Sequence, residues 1–350
     1  MYFSGFVGRT VYHEDVVIKD DLSLRSMQSQ SVPELICDLL EELVLPTSSH
    51  IYFTKKHLLL QYELNSKITS IICDEPGISY NVLEWFRDTL FIVCDLYGKQ
   101  VIKIYSECDG TYDAIHTCFK ISSLSIGKTI ALVLTHDGKV YQCKNIICEA
   151  KFLLAEENLL LLESVSTIKK ICCGREHGIA LTNNGIVYTI GGGWRGQLGL
   201  GVVDSADILT KVDLLEPLKV KDIAAGGWHC LVISDSGDLY GWGWNESGQI
   251  GVIKEDSDES EEEILSFPKL LFSPSLVDTP IEQTFISVSA GSRHSSAVSS
   301  NGLLFSWGWN GYGQLMHGDF LNKLKPQLVE SLCQKSLFKV VCGKWSTVVM

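Results

Sequence analysis

The chain has 350 residues, 45% of them hydrophobic, and a formal net charge of −13. That is apolar material for a large core, and it argues against direct DNA binding, which rests on clustered Lys and Arg releasing phosphate counterions. No apolar run is long enough to span a bilayer, and Met1 to Thr10 lacks a basic start followed by an apolar core and a cleavage site, so a soluble intracellular protein is expected.

In chain order, Tyr2-Phe-Ser-Gly-Phe-Val-Gly8 reads as an outer strand with no inner partner. Residues 10–165 then carry a faint repeat. Thr47 stands three before His50, Arg87 leads by 11 to Gly98, and Gly127 leads by 11 to Gly138, with Thr135 at +8 and Tyr141 at +14. From residue 168 the repeat is sharp. Gly174-Arg-Glu-His177, Gly226-Gly-Trp-His229 and Gly291-Ser-Arg-His294 open three full units, and Gly343-Lys-Trp-Ser346 opens a fourth that stops at Met350. Glycine returns at +11 (Gly185, Gly237, Gly302), at +17 (Gly191, Gly243, Gly308) and at +22, where glutamine follows it (Gly196-Gln197, Gly248-Gln249, Gly313-Gln314).

Each unit reads as short strands. A strand ending in small residues, such as Ile171-Cys-Cys173 or Ile223-Ala-Ala225, precedes the opening glycine, as needed where strands crowd a common axis. An apolar run follows the histidine, then a hairpin turn at Gly185, Gly237 or Gly302, then a strand with large and small faces such as Asp238-Leu-Tyr-Gly-Trp-Gly243. The seven anchors from Thr47 to Gly343 are 40, 40, 47, 52, 65 and 52 residues apart, the blade spacing of propellers. The expectation is an all-β seven-bladed β-propeller spanning 1–350 as one domain, with degenerate blades over 10–165 and well-formed repeats over 168–350. Its last unit lacks an outer half, which the first strand supplies, so N- and C-terminal strands close the ring in one blade and hide its edges.

The 65-residue unit carries an insertion over 254–266 with seven carboxylates in Glu255–Glu263. Such a run is expected to be a solvated loop. It either solubilises the chain or guides a basic partner such as a histone tail, and Ser257 and Ser260 within it are candidate phosphorylation sites. The twelve cysteines lie in strand-like segments without zinc spacing and are read as buried free thiols.

The run Gly226-Gly-Trp-His229 with Asp235 to Gln249 resembles the regulator-of-chromosome-condensation repeat, a family of seven-bladed propellers; the likeness is strong over 168–350 and weak over 1–165. Within that family the chain is most similar to a small metazoan member. The resemblance implies a nuclear, chromosome-associated scaffold that partners a JmjC-domain histone demethylase or hydroxylase and so bears on histone lysine methylation and chromosome segregation. It also leaves open exchange of guanine nucleotide on a Ran-like GTPase, or a cytoplasmic adaptor. A monomer within a hetero-complex is expected, with no membrane partner.

If strands alternate direction outward from the axis, the Gly-x-x-His turns and the loops after Trp-Gly share one face. That face gathers Arg175, Glu176, Trp228, Arg293, Lys344 and Trp345 with Trp194, Arg195, Asn245, Glu246, Asn310 and Tyr312, the candidate partner-binding residues. Tryptophan and arginine dominate protein interfaces more often than other types. Trp242, Trp244, Trp307 and Trp309 follow the repeat and are expected to pack between blades. His177, His229 and His294 recur at one position and are expected to be hydrogen-bonded turn residues, while Gln197, Gln249 and Gln314 satisfy backbone groups. The sequence shows no nucleophile elbow, phosphate loop or zinc-protease motif, so no catalytic residue, metal or cofactor is expected.

Overall fold

The computed structural model describes residues 2–5, 30–31 and 44–350, apart from 47–49, 56–57, 64–68, 75, 77, 87–88, 98, 107–111, 116–118, 144–153, 155, 165, 254–267 and 280–282. The anchors Thr47 and Arg87, the residues Phe6 to Gly8 and the acidic run with Ser257 and Ser260 lie outside the described residues.

Among the described residues, the chain forms seven four-stranded antiparallel sheets. Blade 1 holds Val44–Pro46, His50–Lys55, Leu58–Glu63 and Thr69–Asp74, and blade 2 holds Ile78–Phe86, Thr89–Leu96, Lys99–Ser106 and Tyr112–Ile115. Blade 3 runs from Ile121–Ile126 to Leu159–Leu162, blade 4 from Ile168–Cys173 to Ser205–Lys211, blade 5 from Val220–Ala225 to Leu270–Leu276, and blade 6 from Phe285–Ala290 to Lys323–Leu328. Blade 7 joins the chain ends: Val340–Cys342 and Ser346–Val349 supply its inner half, and Tyr2–Gly5 pairs with Ser346–Val349, with Gln30–Ser31 outermost. The first strand of each blade touches that of the next, from blade 1 around to blade 7 and back, so the ring is closed.

The core is divided into wedges between neighbouring blades. Val82, Phe91 and Ile102 of blade 2 meet Leu124, Ala131 and Val133 of blade 3, and Ile179 and Leu181 of blade 4 meet Ile223, Val232 and Trp242 of blade 5. Phe285 and Phe305 of blade 6 pack on Leu231 and Ile233 of blade 5. Each blade is covered on both faces, so the second strands His177–Thr182, His229–Ser234 and His294–Ser299 are buried at every residue. Blade interfaces are therefore where stability resides.

Candidate interaction face

The opening glycine and the histidine three residues on are a steric pair. A Cβ added at Gly174 would sit 2.2 Å from Cε1 of His177, at Gly226 2.2 Å from that of His229, and at Gly291 2.1 Å from that of His294. With the glycine in place the imidazole is fully buried and reaches the next blade: His177 Nε2 lies 3.0 Å from Cys230 Sγ, His229 Nε2 2.9 Å from Ser295 Oγ, and His294 Nε2 3.0 Å from Thr347 Oγ1. Ser295 Oγ in turn donates to Gln249 O at 2.6 Å, and Cys230 Sγ to Gln197 O at 3.5 Å, which makes Nε2 the protonated nitrogen of His229 and His177. Burial holds His177 and His229 down at about 3 and His294 at about 4. It pushes the Cys230 thiol well up. Neither member of the His177 and Cys230 contact has the chemistry of a base or a thiolate at neutral pH. These histidines are hydrogen-bonded turn residues.

The glutamines pin the outer loop. Gln197 Oε1 accepts from Arg195 N at 2.8 Å, Gln249 Oε1 from Ser247 N at 2.9 Å, and Gln314 Oε1 from Tyr312 N at 3.1 Å. Turn and outer loop are tied by backbone bonds, Gly192 N to Glu176 O, Trp244 N to Trp228 O and Trp309 N to Arg293 O, each 2.8 Å. Both loop sets therefore lie on one face. The approach is so close that a Cβ on Gly243, whose φ is +104°, would stand 2.4 Å from Trp228 O.

On this face the turn residues that vary between repeats come together. Arg175 Cζ lies 4.8 Å from the Trp228 ring centre, and Arg195 Cζ lies 4.1 Å from it on the neighbouring loop. Arg195 also stands 5.1 Å from Trp244, with Arg293 4.5 Å from that second ring, while the two indoles meet edge to face at 5.4 Å. The result is an alternation of three guanidiniums and two indoles across blades 4, 5 and 6. Next to it Trp309 meets Tyr312 at 4.8 Å and Trp345 at 5.2 Å, both steeply inclined, carrying the aromatic surface onto blade 7 beside Lys344. Trp194 is 73% exposed, and Glu246 is exposed on the adjoining loop. Glu176 is half-buried, and neither glutamate pairs with a cation among the described residues.

Two expectations are corrected. Asn245 and Asn310 are completely buried and offer nothing to a partner. Asn245 Nδ2 donates to Pro268 O and its Oδ1 accepts from Ile250 N; Asn310 Nδ2 donates to Asp319 O and its Oδ1 accepts from Leu315 N. Both hold their loop shut, as an amide with donor and acceptor can. Asn310→Ala should lower unfolding free energy by about 1–3 kcal/mol, since it leaves Leu315 N and Asp319 O without their partner, read from urea titration against wild type. Trp242 and Trp307 lie in the apolar wedges between blades, while Trp244 packs against Arg195 of blade 4 and Arg293 of blade 6, and Trp309 against Trp345 of blade 7, at the loop end of those seams. Alternation alone would put Trp242 and Trp244 on one side of the strand, but the positive φ of Gly243 and the register shift there re-aim Trp244 to the loop face. The Trp-Gly-Trp spelling was the available signal, because a glycine between two strand residues marks a bulge.

At the axis Glu84 of blade 2, half-buried, accepts from Ile126 N at 3.1 Å, and burial raises its carboxyl to about 8. Lys170 pairs with Asp222 between blades 4 and 5. The thiols of Cys172, Cys173 and Cys342 are held above the usual range by burial, so these cysteines are not nucleophiles.

Models of the Regulator of chromosome condensation (RCC1) repeat match residues 184–233, 236–298 and 301–350 in one form and 168–197, 220–249 and 285–314 in another, together the whole of blades 4 to 6 and the second half of the chain. The chain belongs to the RCC1 repeat family. It is 34% identical over 203 residues to human RCC1 domain-containing protein 1, covering 50% of this chain and 54% of that protein. It is also 34% identical over 178 residues to the Arabidopsis thaliana Ultraviolet-B receptor UVR8, covering 51% of this chain and 37% of the receptor. The match thus spans about half the length of human and mouse RCC1 domain-containing protein 1 and less of the receptor. Among solved structures, Prp20p from Saccharomyces cerevisiae superposes with a TM-score of 0.76 at 18% identity, over 99% of this chain and 90% of that one, which shows the common fold. Gly, His and Gln recur at fixed offsets in these repeats and Trp242 and Trp244 return as Trp307 and Trp309, whereas Arg175, Arg195, Trp228 and Arg293 stand at positions that differ from repeat to repeat within this chain.

Proposed function

We propose that this RCC1-type propeller is a noncatalytic scaffold that holds a partner protein against the face built by Arg175, Arg195, Trp228, Trp244 and Arg293. The observation that carries the reading is the alternation of guanidiniums and indoles, in which Arg175, Arg195, Trp228 and Arg293 are exposed or half-buried and Trp244, 6% exposed, backs them, since arginine and tryptophan are the side chains on which interfaces concentrate their energy. The partner is the JmjC-domain histone demethylase or hydroxylase implied by the sequence resemblance, and the site of action is chromatin in the nucleus, with the acidic run of Glu255–Glu263 as a guide for basic histone segments. The 34% identity to human RCC1 domain-containing protein 1 supports the family placement from which that resemblance starts.

Capture of the JmjC protein from nuclear extract tests this. Wild type retains it, and Trp228→Ala with Arg293→Ala weakens retention at least tenfold, the effect of losing hot-spot side chains of about 1.4 kcal/mol or more. Equal retention by the double variant would refute the face. Accelerated release of labelled guanine nucleotide from a Ran-like GTPase would favour the exchange-factor reading instead, because a scaffold leaves that rate unchanged.

A further inference from the structure

Among the described residues no carboxylate lies within ion-pair distance of Arg175, Arg195, Arg293 or Lys344, although carboxylates outnumber cations in this chain, 42 to 29. The three guanidiniums have no side-chain hydrogen bond to an acceptor either; what holds them is the indole faces at 4.1 to 5.1 Å. Stacking satisfies the flat face of a guanidinium and leaves its N–H edge unused, and that edge is the part that matches a carboxylate in a two-pronged hydrogen bond. The side-chain entropy normally lost when arginine binds has here already been given up to the indoles. A cationic surface kept ordered and unneutralised within an acidic protein is complementary to negative charge.

From this we infer that the face is a receptor for an extended acidic segment of a partner protein, its carboxylates engaging Arg175, Arg195 and Arg293 in turn across blades 4 to 6. The inference rests on the scaffold reading above and specifies the chemistry of what docks there. An extended chain suits the geometry, because the three guanidiniums form a row along two indoles rather than converging on one point. Nucleic acid is the less favoured anion: bases would need open ring faces, and the row's indoles are already met by guanidiniums and by each other, while Glu176 and Glu246 on the same loops repel a continuous phosphate strand.

The test uses full-length protein and fluorescently labelled peptides read by anisotropy. A twelve-residue peptide of alternating Asp and Gly is expected to bind, to weaken at least tenfold when salt rises from low to several hundred millimolar, and to lose about tenfold for each of Arg175→Gln, Arg195→Gln and Arg293→Gln. Arg195→Lys keeps the charge but loses the fork, and should recover only part of the binding. Circular dichroism of each variant checks that the ring is intact, and Ile208→Ala, exposed on the outermost strand of blade 4, serves as a folded control away from the face. An acidic peptide that binds no better than its Asn analogue, or equally to all three Gln variants, overturns the inference. Tighter binding of an oligothymidylate of equal charge overturns it too. If the JmjC protein is still captured through Trp228 and Arg293 while the acidic peptide fails, the scaffold reading stands and only the acidic-segment inference falls. If capture is indifferent to the face, both fall.

Discussion

Trp242→Ala should lower the unfolding free energy by about 3–5 kcal/mol, the range for deleting a large aromatic from a packed core. The indole is 0% exposed, lies in the wedge between blades 4 and 5, and donates from Nε1 to Gln197 O at 3.0 Å, so its loss opens a cavity and leaves that carbonyl only the weak Cys230 thiol as donor. Gly199 shows how tight the site is: an added Cβ there would stand 2.8 Å from that Nε1, so the loop after Gly-Gln is laid directly over the ring. Collapse into the cavity is hindered because the neighbouring blade is itself held on its other side. Denaturant unfolding followed by circular dichroism measures the effect. Trp194→Ala, at 73% exposure, should stay within about 0.5 kcal/mol of wild type. Equal effects of the two substitutions would show that blade interfaces do not carry the stability.

Acidification should destabilise the ring steeply. His177 and His229 are held at about 3 and His294 at about 4 by burial, whereas an unfolded histidine titrates near 6.5. Between those values the unfolded chain binds protons that the folded one refuses, so stability is full above about 6.5 and falls as pH drops towards 4. Each imidazole contributes up to about 1.4 kcal/mol per pH unit in that window, and the three together up to about 4. Glu84 works in the opposite sense: with its carboxyl raised to about 8 against a reference of 4.5, it is protonated in the folded chain, and stability slips as pH climbs from 4.5 through 8. Three imidazoles outweigh one half-buried carboxyl, so the maximum should sit near pH 6.5 to 7. Urea midpoints from pH 4 to 8 check the curve. His294→Gln should flatten its acid limb by about one proton's worth of slope, and an acid limb unchanged in that variant would show that His294 titrates freely in the fold.

The ring itself was legible from spacing. Gly174 and His177, Gly226 and His229, Gly291 and His294 recur together because each glycine vacates the volume its imidazole fills, a local constraint that leaves its mark at a fixed offset. Closure was legible for a similar reason: a last unit lacking its outer strands and a first strand lacking inner ones specify each other, and Tyr2–Gly5 does pair with Ser346–Val349. Blades 1 to 3 were fainter because their wedges use ordinary apolar contacts, such as Phe91 and Val93 against Ala131 and Val133, which many residue types satisfy without leaving a motif.

The face divides differently. Residue types and alternating strand direction sufficed to place Arg175, Trp228, Arg293 and Trp345 on one side of the disc, because the direction of each turn follows from counting strands. The fate of Asn245 and Asn310 was not legible, since an asparagine in a loop is equally suited to solvent and to bonding its own backbone, and only the fold of the loop decides. Nor could spacing show that Arg195 lies between Trp228 and Trp244. Arg195 belongs to blade 4 and the two tryptophans to blade 5, and their meeting depends on how far one sheet is rotated from the next, a quantity fixed by the packing of the wedge between them. Sequence determined the architecture through short-range sterics that repeat; tertiary structure alone decided which side chains from different repeats touch, because contacts between blades have no fixed offset along the chain.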